Sequence, residues 1–209
     1  MVWMHHVPSV VPRLFRHFVW HKDRQKAIVY LTFDDGPVPG VTDYVLAELA
    51  KRNMSATFFM VGDNVSKNPS LAKEVIAAGH QVGNHTFNHL NGGRTRDDFY
   101  LENLKKCQDI LLEKTERVPR IFRPPYGRIT KSQHGIISKD YEIIMWDVLS
   151  GDFDSKLDPK ICFQKSVKYT RNGSIVVFHD QEKTKDMLPK VLPNYLDWLS
   201  DKGFKTGVL

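Results

Sequence analysis

The sequence predicts an α/β protein with a mostly parallel sheet, built as a single domain. Short apolar runs of strand length alternate with segments whose apolar residues recur at helical spacing. The 209 residues have an ordinary composition, 41% hydrophobic and 26% charged, and suffice for one domain with a buried core. Polar residues that could act in catalysis or bind a metal recur where the predicted strands end. Catalytic residues lie at this position in β/α barrels.

The strands and helices alternate from residue 27 onward. The predicted strands are rich in β-branched and aromatic residues and stop at glycine, proline or polar residues. They lie in residues 27–33, 57–62, 80–84, 121–127, 141–149 and 173–178, and the strand within 121–127 is predicted to end at its prolines. The predicted helices span residues 42–52, 68–78, 96–115, 131–139, 159–169 and 187–200. The second of these helices has Asn68 as its expected N-cap and Pro69 in its first turn.

Residues 1–26 are predicted to be an N-terminal arm, and residues 27–209 the domain. Prolines, arginines and histidines interrupt the apolar residues of the arm, so it lacks the continuous apolar core of a signal peptide. We expect its aromatic residues to pack on the domain, and a helix on a membrane surface is the alternative. No stretch approaches the ~18 apolar residues of a membrane span. Localisation therefore stays open between the cytoplasm and the periphery of the membrane or cell envelope.

Charge and cysteine content exclude several function classes. The formal net charge of +6 is modest, and it favours solubility or attraction to an anionic polymer such as a cell-wall glycan. No basic run interleaved with exposed aromatics indicates nucleic-acid binding. Cys107 and Cys162 lie in helical patterns outside any metal or redox motif, so we expect two buried free thiols. Oligomeric state is not predicted.

Two segments about fifty residues apart offer the ligands of a catalytic zinc site. Asp34 and Asp35 close the first predicted strand, and His85 and His89 lie four residues apart, which on one helical turn would place both rings on one side. Two surface histidines are the alternative explanation of that spacing. Asp35, His85 and His89 would supply three ligands and leave a fourth position for water. Asp34 would stand beside them as a general base, so the pattern predicts metal-assisted hydrolysis.

Five ordered segments resemble the five motifs of the polysaccharide deacetylases with a NodB-like domain, carbohydrate esterase family 4. They are residues 32–37, 85–89, 123–127, 146–153 and 177–179, with the sequences TFDDGP, HTFNH, RPPYG, WDVLSGDF and VFH. The resemblance extends over about residues 27–199. It implies a distorted barrel of about seven β/α units, which agrees with the alternation described above.

The resemblance implies catalytic roles for the matching residues. Asp34 would take a proton from water bound to the metal, and Asp35, His85 and His89 would hold that metal. Zinc suits this ligand set best, while cobalt, nickel or manganese could also bind. His179 would be the general acid that protonates the departing amine.

Supporting roles are implied in the same way. Arg123 would pair with Asp34 and keep it ionised, and Asp152 would pair with His179 and favour its imidazolium form. The backbone N–H of Tyr126 would stabilise the oxyanion together with the metal.

The sequence departs from the family pattern at three positions. Leu149 stands where the family often has aspartate, and Phe153 stands where it often has tryptophan. Phe153 can still form a wall of a sugar groove by stacking. Val177 replaces a common leucine in the pocket expected to take the acetyl methyl group, which would make that pocket slightly roomier. These changes affect the preferred substrate and leave every acid, base and metal ligand in place.

The function implied by the resemblance is removal of N-acetyl groups from N-acetylglucosamine-containing glycans, such as peptidoglycan or chitin oligosaccharides, with release of acetate. One alternative keeps the machinery and changes the substrate to a small amide or an O-acetylated sugar. A second alternative is a non-catalytic glycan-binding module. The intact acid, base and metal-ligand residues argue against this second alternative.

Overall fold

A computed structural model describes residues 4–209 and has a curled parallel sheet at its centre. Within these residues the strands are β1 (Ile28–Asp34), β2 (Thr57–Met60), β3 (Gln81–Asn84), β4 (Ile121–Phe122), β5 (Glu142–Ile143), β6 (Val148–Leu149), β7 (Ile175–His179) and β8 (Lys205–Thr206). Their hydrogen-bonded order is β5-β4-β3-β2-β1-β7-β6, with β8 paired to the start of β1. All of these pairs are parallel. The predicted distorted (β/α)7 barrel is confirmed.

Helices follow most of the strands and cover the outside of the sheet. They are α1 (Val10–Leu14), α2 (Thr42–Ala50), α3 (Gly62–Lys67), α4 (Pro69–Ala77), α5 (Asp97–Thr115), α6 (Lys131–Ile137), α7 (Pro159–Tyr169) and α8 (Leu188–Asp201). The predicted helices agree with the corresponding members of this set to within two residues at each end. The two short helices α1 and α3 were not predicted, because five and six residues are too few to show a helical period.

One local prediction was wrong. The predicted strand 141–149 is divided into β5 and β6. The strand within 121–127 ends at Phe122, one residue short of the prolines at which its end was predicted. Asn68 is the N-cap residue of α4, as predicted, but its side chain makes no capping hydrogen bond, because its amide nitrogen donates to the carbonyl oxygens of Pro37 and Asn64, at 3.3 and 3.2 Å. That side chain therefore ties the loop after β1 to the start of α4.

The core has one layer outside the sheet and a smaller one inside it. On the outside, Phe33 of β1 stacks between Phe58 of β2 and Phe178 of β7, with ring centroids 5.2 and 6.1 Å away. Inside the barrel, Phe59 and Ile175 belong to a separate apolar cluster. Successive residues of one strand point to opposite faces, so this pattern follows directly from the continuous apolar runs. Both cysteines are buried free thiols, as expected.

The described part of the arm, residues 4–26, lies against the barrel through backbone hydrogen bonds. The N–H of Leu149 donates to the carbonyl oxygen of His5 at 3.0 Å, and the N–H of Met145 donates to that of Val19 at 2.7 Å. Phe18 packs beside an apolar cluster between α5 and α6. The division of the chain at residue 26 stays a prediction. None of the helices described between residues 4 and 209 is long and apolar enough to cross a bilayer.

Candidate active site

The candidate site forms where β1, β7 and β3 end. Asp34 is the last residue of β1, and it lies in register with His179 of β7 on one side and Phe59 of β2 on the other. Parallel strands present their carboxyl ends at the same edge, so residues distant in sequence converge there. This arrangement brings Asp34 and Asp35 next to His85, which directly follows β3.

Asp35, His85 and His89 face one another closely enough to hold one metal ion. Their ligand atoms all lie within 4.8 Å of one another. Oδ1 of Asp35 is 3.1 Å from Nε2 of His89 and 3.5 Å from Nε2 of His85. This oxygen is buried and has no hydrogen-bond partner within the described residues. Nδ1 of His85 lies 2.7 Å from the carbonyl oxygen of Arg123, which can only accept, so the proton is on Nδ1.

The proton position makes this cluster suited to a cation. With its proton on Nδ1, the His85 ring presents Nε2 to Oδ1 of Asp35 at 3.5 Å, so two metal-ligand atoms face each other as they do around a bound cation. Burial opposes ionisation of Asp35, but the neighbouring His85, His89 and His179 outweigh it and hold the pKa of Asp35 well below its ordinary value. The donor set and its unpaired buried oxygen therefore fit a divalent metal.

The loop that carries the two histidines is not helical, so the prediction that they share one helical turn was wrong. Thr86 and His89 have positive φ angles of 64° and 54°. The side-chain oxygen of Asn84 accepts from the N–H of Thr86 at 2.8 Å. The side-chain oxygen of Asn103 accepts from the N–H groups of Phe87 and Asn88, both at 2.9 Å. These bonds replace the helical ones. The rings of His85 and His89 still converge, with centroids 5.1 Å apart.

Asp34 is paired with Arg123, as the resemblance implied. Nη1 of Arg123 donates to Oδ1 of Asp34 at 2.7 Å, and the guanidinium is fully buried. It also donates to the carbonyl oxygen of Met145 at 2.9 Å and lies 4.2 Å from the centre of the Phe59 ring. Burial lowers the pKa of Arg123, whereas Asp34 raises it, and the net shift is downward. This ion pair fixes the orientation of the Asp34 carboxylate.

His179 is paired with Asp152 on the opposite side of the cluster. Nδ1 of His179 donates to Oδ1 of Asp152 at 2.8 Å, and the His179 backbone N–H donates to Oδ2 at 2.7 Å. Burial lowers the pKa of His179, but the charge and hydrogen bond of Asp152, with Asp35 and Asp34, raise it to about 9. The imidazole is therefore protonated at neutral pH, which is the form a general acid needs.

The three remaining predicted residues lie around this cluster. Tyr126 is 61% exposed, has a φ of 60°, and its ring packs on His89 with centroids 4.7 Å apart. The Phe153 ring lies edge-on to His179 at 5.2 Å. Val177 is buried in β7, two residues before His179, and by strand alternation it shares the inner face of the barrel with Ile175.

The sequence reasoning missed Asp180, which supports the site from behind. Its carboxylate accepts from the N–H of Gly36 at 3.1 Å and from the hydroxyl of Thr42 at 2.6 Å. A Cβ on Gly36 would lie 2.0 Å from Oδ2 of Asp180, so only glycine fits there. Burial raises the pKa of Asp180 to about 8. A glycine after Asp35 indicates a tight turn in the sequence, but it does not indicate that the Asp180 carboxylate occupies the space beside this glycine.

The fold and this cluster define a class of protein: a β/α barrel with a candidate metal centre that lies between the pairs Asp34–Arg123 and His179–Asp152. The sequence profile of the family described as polysaccharide deacetylase matches residues 21–140. The chain belongs to this family.

Curated relatives agree with this assignment. A peptidoglycan-N-acetylglucosamine deacetylase of Bacillus cereus is 33% identical over 191 residues, which cover 90% of this chain and 89% of that protein. The peptidoglycan-N-acetylglucosamine deacetylase PgdA of Listeria monocytogenes is 35% identical over 156 residues, 75% of this chain but 33% of the longer relative.

Solved structures share the fold. The Bc1960 peptidoglycan N-acetylglucosamine deacetylase superposes with a TM-score of 0.85 at 28% identity, over 97% of this chain and 95% of that one. BA3943 of Bacillus anthracis, described as a pseudoenzyme of carbohydrate esterase family 4, superposes with a TM-score of 0.80 at 26% identity, over 91% of this chain and 66% of that one. Family membership alone therefore does not establish activity, which depends on the residues of the site.

Proposed function

We propose that the protein is a metal-dependent hydrolase that removes N-acetyl groups from N-acetylglucosamine-containing glycans and releases acetate. The observation that carries this proposal is the convergence of Asp35, His85 and His89 around an unpaired buried carboxylate oxygen, between the pairs Asp34–Arg123 and His179–Asp152.

Asp35, His85 and His89 would hold the metal, and their two nitrogens and one oxygen suit zinc best, with cobalt, nickel or manganese as alternatives. A divalent cation bound there would supply Lewis-acid chemistry, since it polarises a carbonyl group and activates water for attack.

The protein's own side chains would move the protons. Asp34 accepts a proton from the attacking water, and its ion pair with buried Arg123 orients it for that role. His179 donates a proton to the amide nitrogen as the C–N bond breaks, so the sugar leaves as a neutral amine and the acyl group leaves as acetate. Asp152 holds His179 protonated and directs its other ring nitrogen towards the site.

Three further residues would bind the substrate. The Tyr126 backbone N–H would donate to the oxyanion, and the positive φ of this residue sets the direction of that group. The Phe153 ring, which packs on His179, would form one wall of the sugar groove. Val177, buried two residues before His179, would line the pocket for the acetyl methyl group.

Among acetylated glycans we propose peptidoglycan, with N-acetylglucosamine as the deacetylated sugar. Two relatives named for this reaction are 33% and 35% identical to the chain, whereas a chitooligosaccharide deacetylase of Azorhizobium caulinodans is 29% identical. Such a substrate would place the protein at the cell envelope.

The test is acetate release from peptidoglycan fragments and from N-acetylglucosamine oligomers of graded length, with zinc or cobalt added. Wild type should release acetate, and Asp34→Asn should abolish the release while bound metal is retained. Asp63→Asn removes an exposed carboxylate on α3 and should leave the rate unchanged. Absence of release from metal-loaded wild type on every glycan would contradict the proposal. If wild type releases no acetate from glycans, turnover of a small aryl acetate would favour an esterase or amidase. Absence of that turnover as well would favour a binding module.

A further inference from the structure

The arm exposes a cluster of apolar side chains that the proposed function does not use. Eleven large apolar residues are exposed within residues 4–209, and four of them lie between residues 4 and 15. Val10 and Leu14, 53% and 70% exposed, are one turn apart on α1, and Phe15 and Met4 are 46% and 59% exposed. Isolated exposed apolar residues are ordinary, but four of them within twelve consecutive residues indicate an interaction surface.

A basic cavity lies beside these apolar residues. It has a volume of about 310 Å³, and its lining includes Arg13 and Arg16 of the arm and Arg171 in the turn before β7. His21 and Asp147 also contribute to the wall. Three guanidinium groups around one cavity form an arrangement that suits an anion with several oxygens, because arginine can bind phosphate through paired N–H groups.

The single acidic residue of the cavity does not neutralise it. Oδ2 of Asp147 already accepts from Arg24 at 2.9 Å and from the Ser174 hydroxyl at 2.6 Å, and Oδ1 is 3.6 Å from Arg171. Neither Arg13 nor Arg16 has an acidic partner among residues 4–209; Nε of Arg16 donates only to the backbone carbonyl oxygen of Arg13, at 3.1 Å.

The charge of the chain is concentrated in the same region. Residues 1–26 contain five lysines and arginines and one aspartate, which gives a net charge of +4 out of the +6 of the whole chain. The arm is therefore strongly basic compared with the rest of the molecule.

We propose that this arm surface, formed by Val10, Arg13, Leu14, Phe15 and Arg16 with the adjoining cavity, docks on an anionic phospholipid membrane. The guanidinium groups would bind lipid phosphates, and the apolar side chains would enter the interface between headgroups and acyl chains. Stable attachment to a bilayer surface needs both apolar insertion and attraction to anionic lipids, and the arm surface offers apolar side chains and arginines together.

The position of the surface gives docking a geometric consequence. Asp147 immediately precedes β6 and Arg171 precedes β7, so the cavity lies at the amino ends of these strands. The candidate active site lies at the carboxyl ends, where Asp34 and His179 end β1 and β7. A protein docked through the arm surface would therefore hold the mouth of its active site away from the membrane, towards a polymer lying above it.

The experiment is co-sedimentation of the full chain with vesicles of phosphatidylcholine alone or mixed with phosphatidylglycerol. Wild type should bind only the mixed vesicles. Each arginine should contribute about a fivefold change in the partition coefficient, so Arg13→Gln/Arg16→Gln should weaken binding roughly twenty-fivefold. Val10→Gln/Leu14→Gln should also weaken it. Lys73→Gln/Lys190→Gln removes two exposed charges from α4 and α8, and it should change binding by less than about twofold if the arm surface is the docking site.

Three results would overturn the membrane proposal. The first is failure of wild type to bind mixed vesicles. The second is an equal loss in the α4/α8 control, which would indicate diffuse charge attraction. The third is stoichiometric binding of inorganic phosphate in calorimetry without vesicle binding, which would make the cavity a site for a free anion. Unchanged thermal midpoints show that the variants are folded, and the outcome does not depend on the deacetylase activity.

Discussion

Replacing Asp152 by asparagine should move the alkaline limit of catalysis to lower pH. In the folded protein the pKa of His179 is raised from 6.5 to about 9, against the effect of burial, with Asp152 contributing most to the increase. The group must be protonated to act as an acid, so activity is present below this pKa and is lost as pH rises through it. A bound cation would offset the part of this pKa increase that comes from Asp34 and Asp35. The alkaline limit of wild-type activity is therefore expected at or below pH 9 or so, about the pKa of His179.

The size of the effect depends on pH. With a pKa of about 9, His179 is about nine-tenths protonated at pH 8, whereas with the ordinary value of 6.5 it is about 3% protonated. A return of the His179 pKa to its ordinary value would therefore lower kcat/KM roughly thirtyfold at pH 8 and less than about twofold at pH 6.

The assay is the pH profile of kcat/KM for acetate release by wild type and Asp152→Asn, with metal content measured for both. Asp154→Asn is the matched control, because it removes a carboxylate two residues away that accepts only from a backbone N–H. A loss of activity by Asp152→Asn that is the same at pH 6 and pH 8 would refute the reasoning, since it would mean that Asp152 acts only on structure. A shift of the limit in the control would also refute it.

Other predictions concern stability and the metal. Arg123→Lys should lower the free energy of unfolding by about 3 kcal/mol and reduce the rate of acetate release, because lysine cannot reach Asp34 and the buried carbonyl oxygens together. Denaturant titration measures the first effect, and an acetate-release assay measures the second. Gly36→Ala should lower the free energy of unfolding by about 3 kcal/mol, because the new Cβ would clash with Asp180. Gly135→Ala should raise it by about 0.5–1 kcal/mol, because Gly135 lies in α6 with open space around it. Equal effects of the two substitutions would contradict the packing argument. Removing bound metal with a chelator should abolish acetate release, and zinc should restore it; activity that survives complete removal would contradict the metal assignment.

Much of the fold could be predicted because the parallel strands are short apolar runs with clear stops. Phe33, Phe58 and Phe178 lie in such runs, and they form the packed layer of the outer core. The failures occurred where local pattern does not decide the structure. Residues 141–149 are apolar enough for one strand, but Asp147 turns towards Arg24, a contact 123 residues away that no local pattern reveals.

The candidate site residues and the two pairs among them were predicted from motifs, but the contacts that support the site from behind were not. The Asp34–Arg123 and His179–Asp152 pairs connect segments separated by 89 and 27 residues, and both agree with the implied pairing. Asp180 was missed because its partner is the backbone N–H of Gly36, and a contact of this kind leaves no trace in the residue types of a single sequence.

The backbone of the site carries conformations that the sequence did not indicate. Six residues other than glycine have positive φ angles within residues 4–209, and four of them belong to the site or its loops: Asp35, Thr86, His89 and Tyr126. The other two, Asn53 and Glu116, lie just after helices, where a left-handed residue commonly ends the helix.

Positive φ at a non-glycine residue costs on the order of 1–3 kcal/mol, so such residues persist only where surrounding bonds enforce them. Here Asn84 holds the N–H of Thr86, and Asp180 holds the N–H that follows Asp35. The barrel thus spends part of its stability on turning Asp35 and the histidine loop towards one point. These bonds hold the strained residues in place, and the result is that the ligand atoms of Asp35, His85 and His89 lie within 4.8 Å of one another, which is a physical reason to expect a binding function.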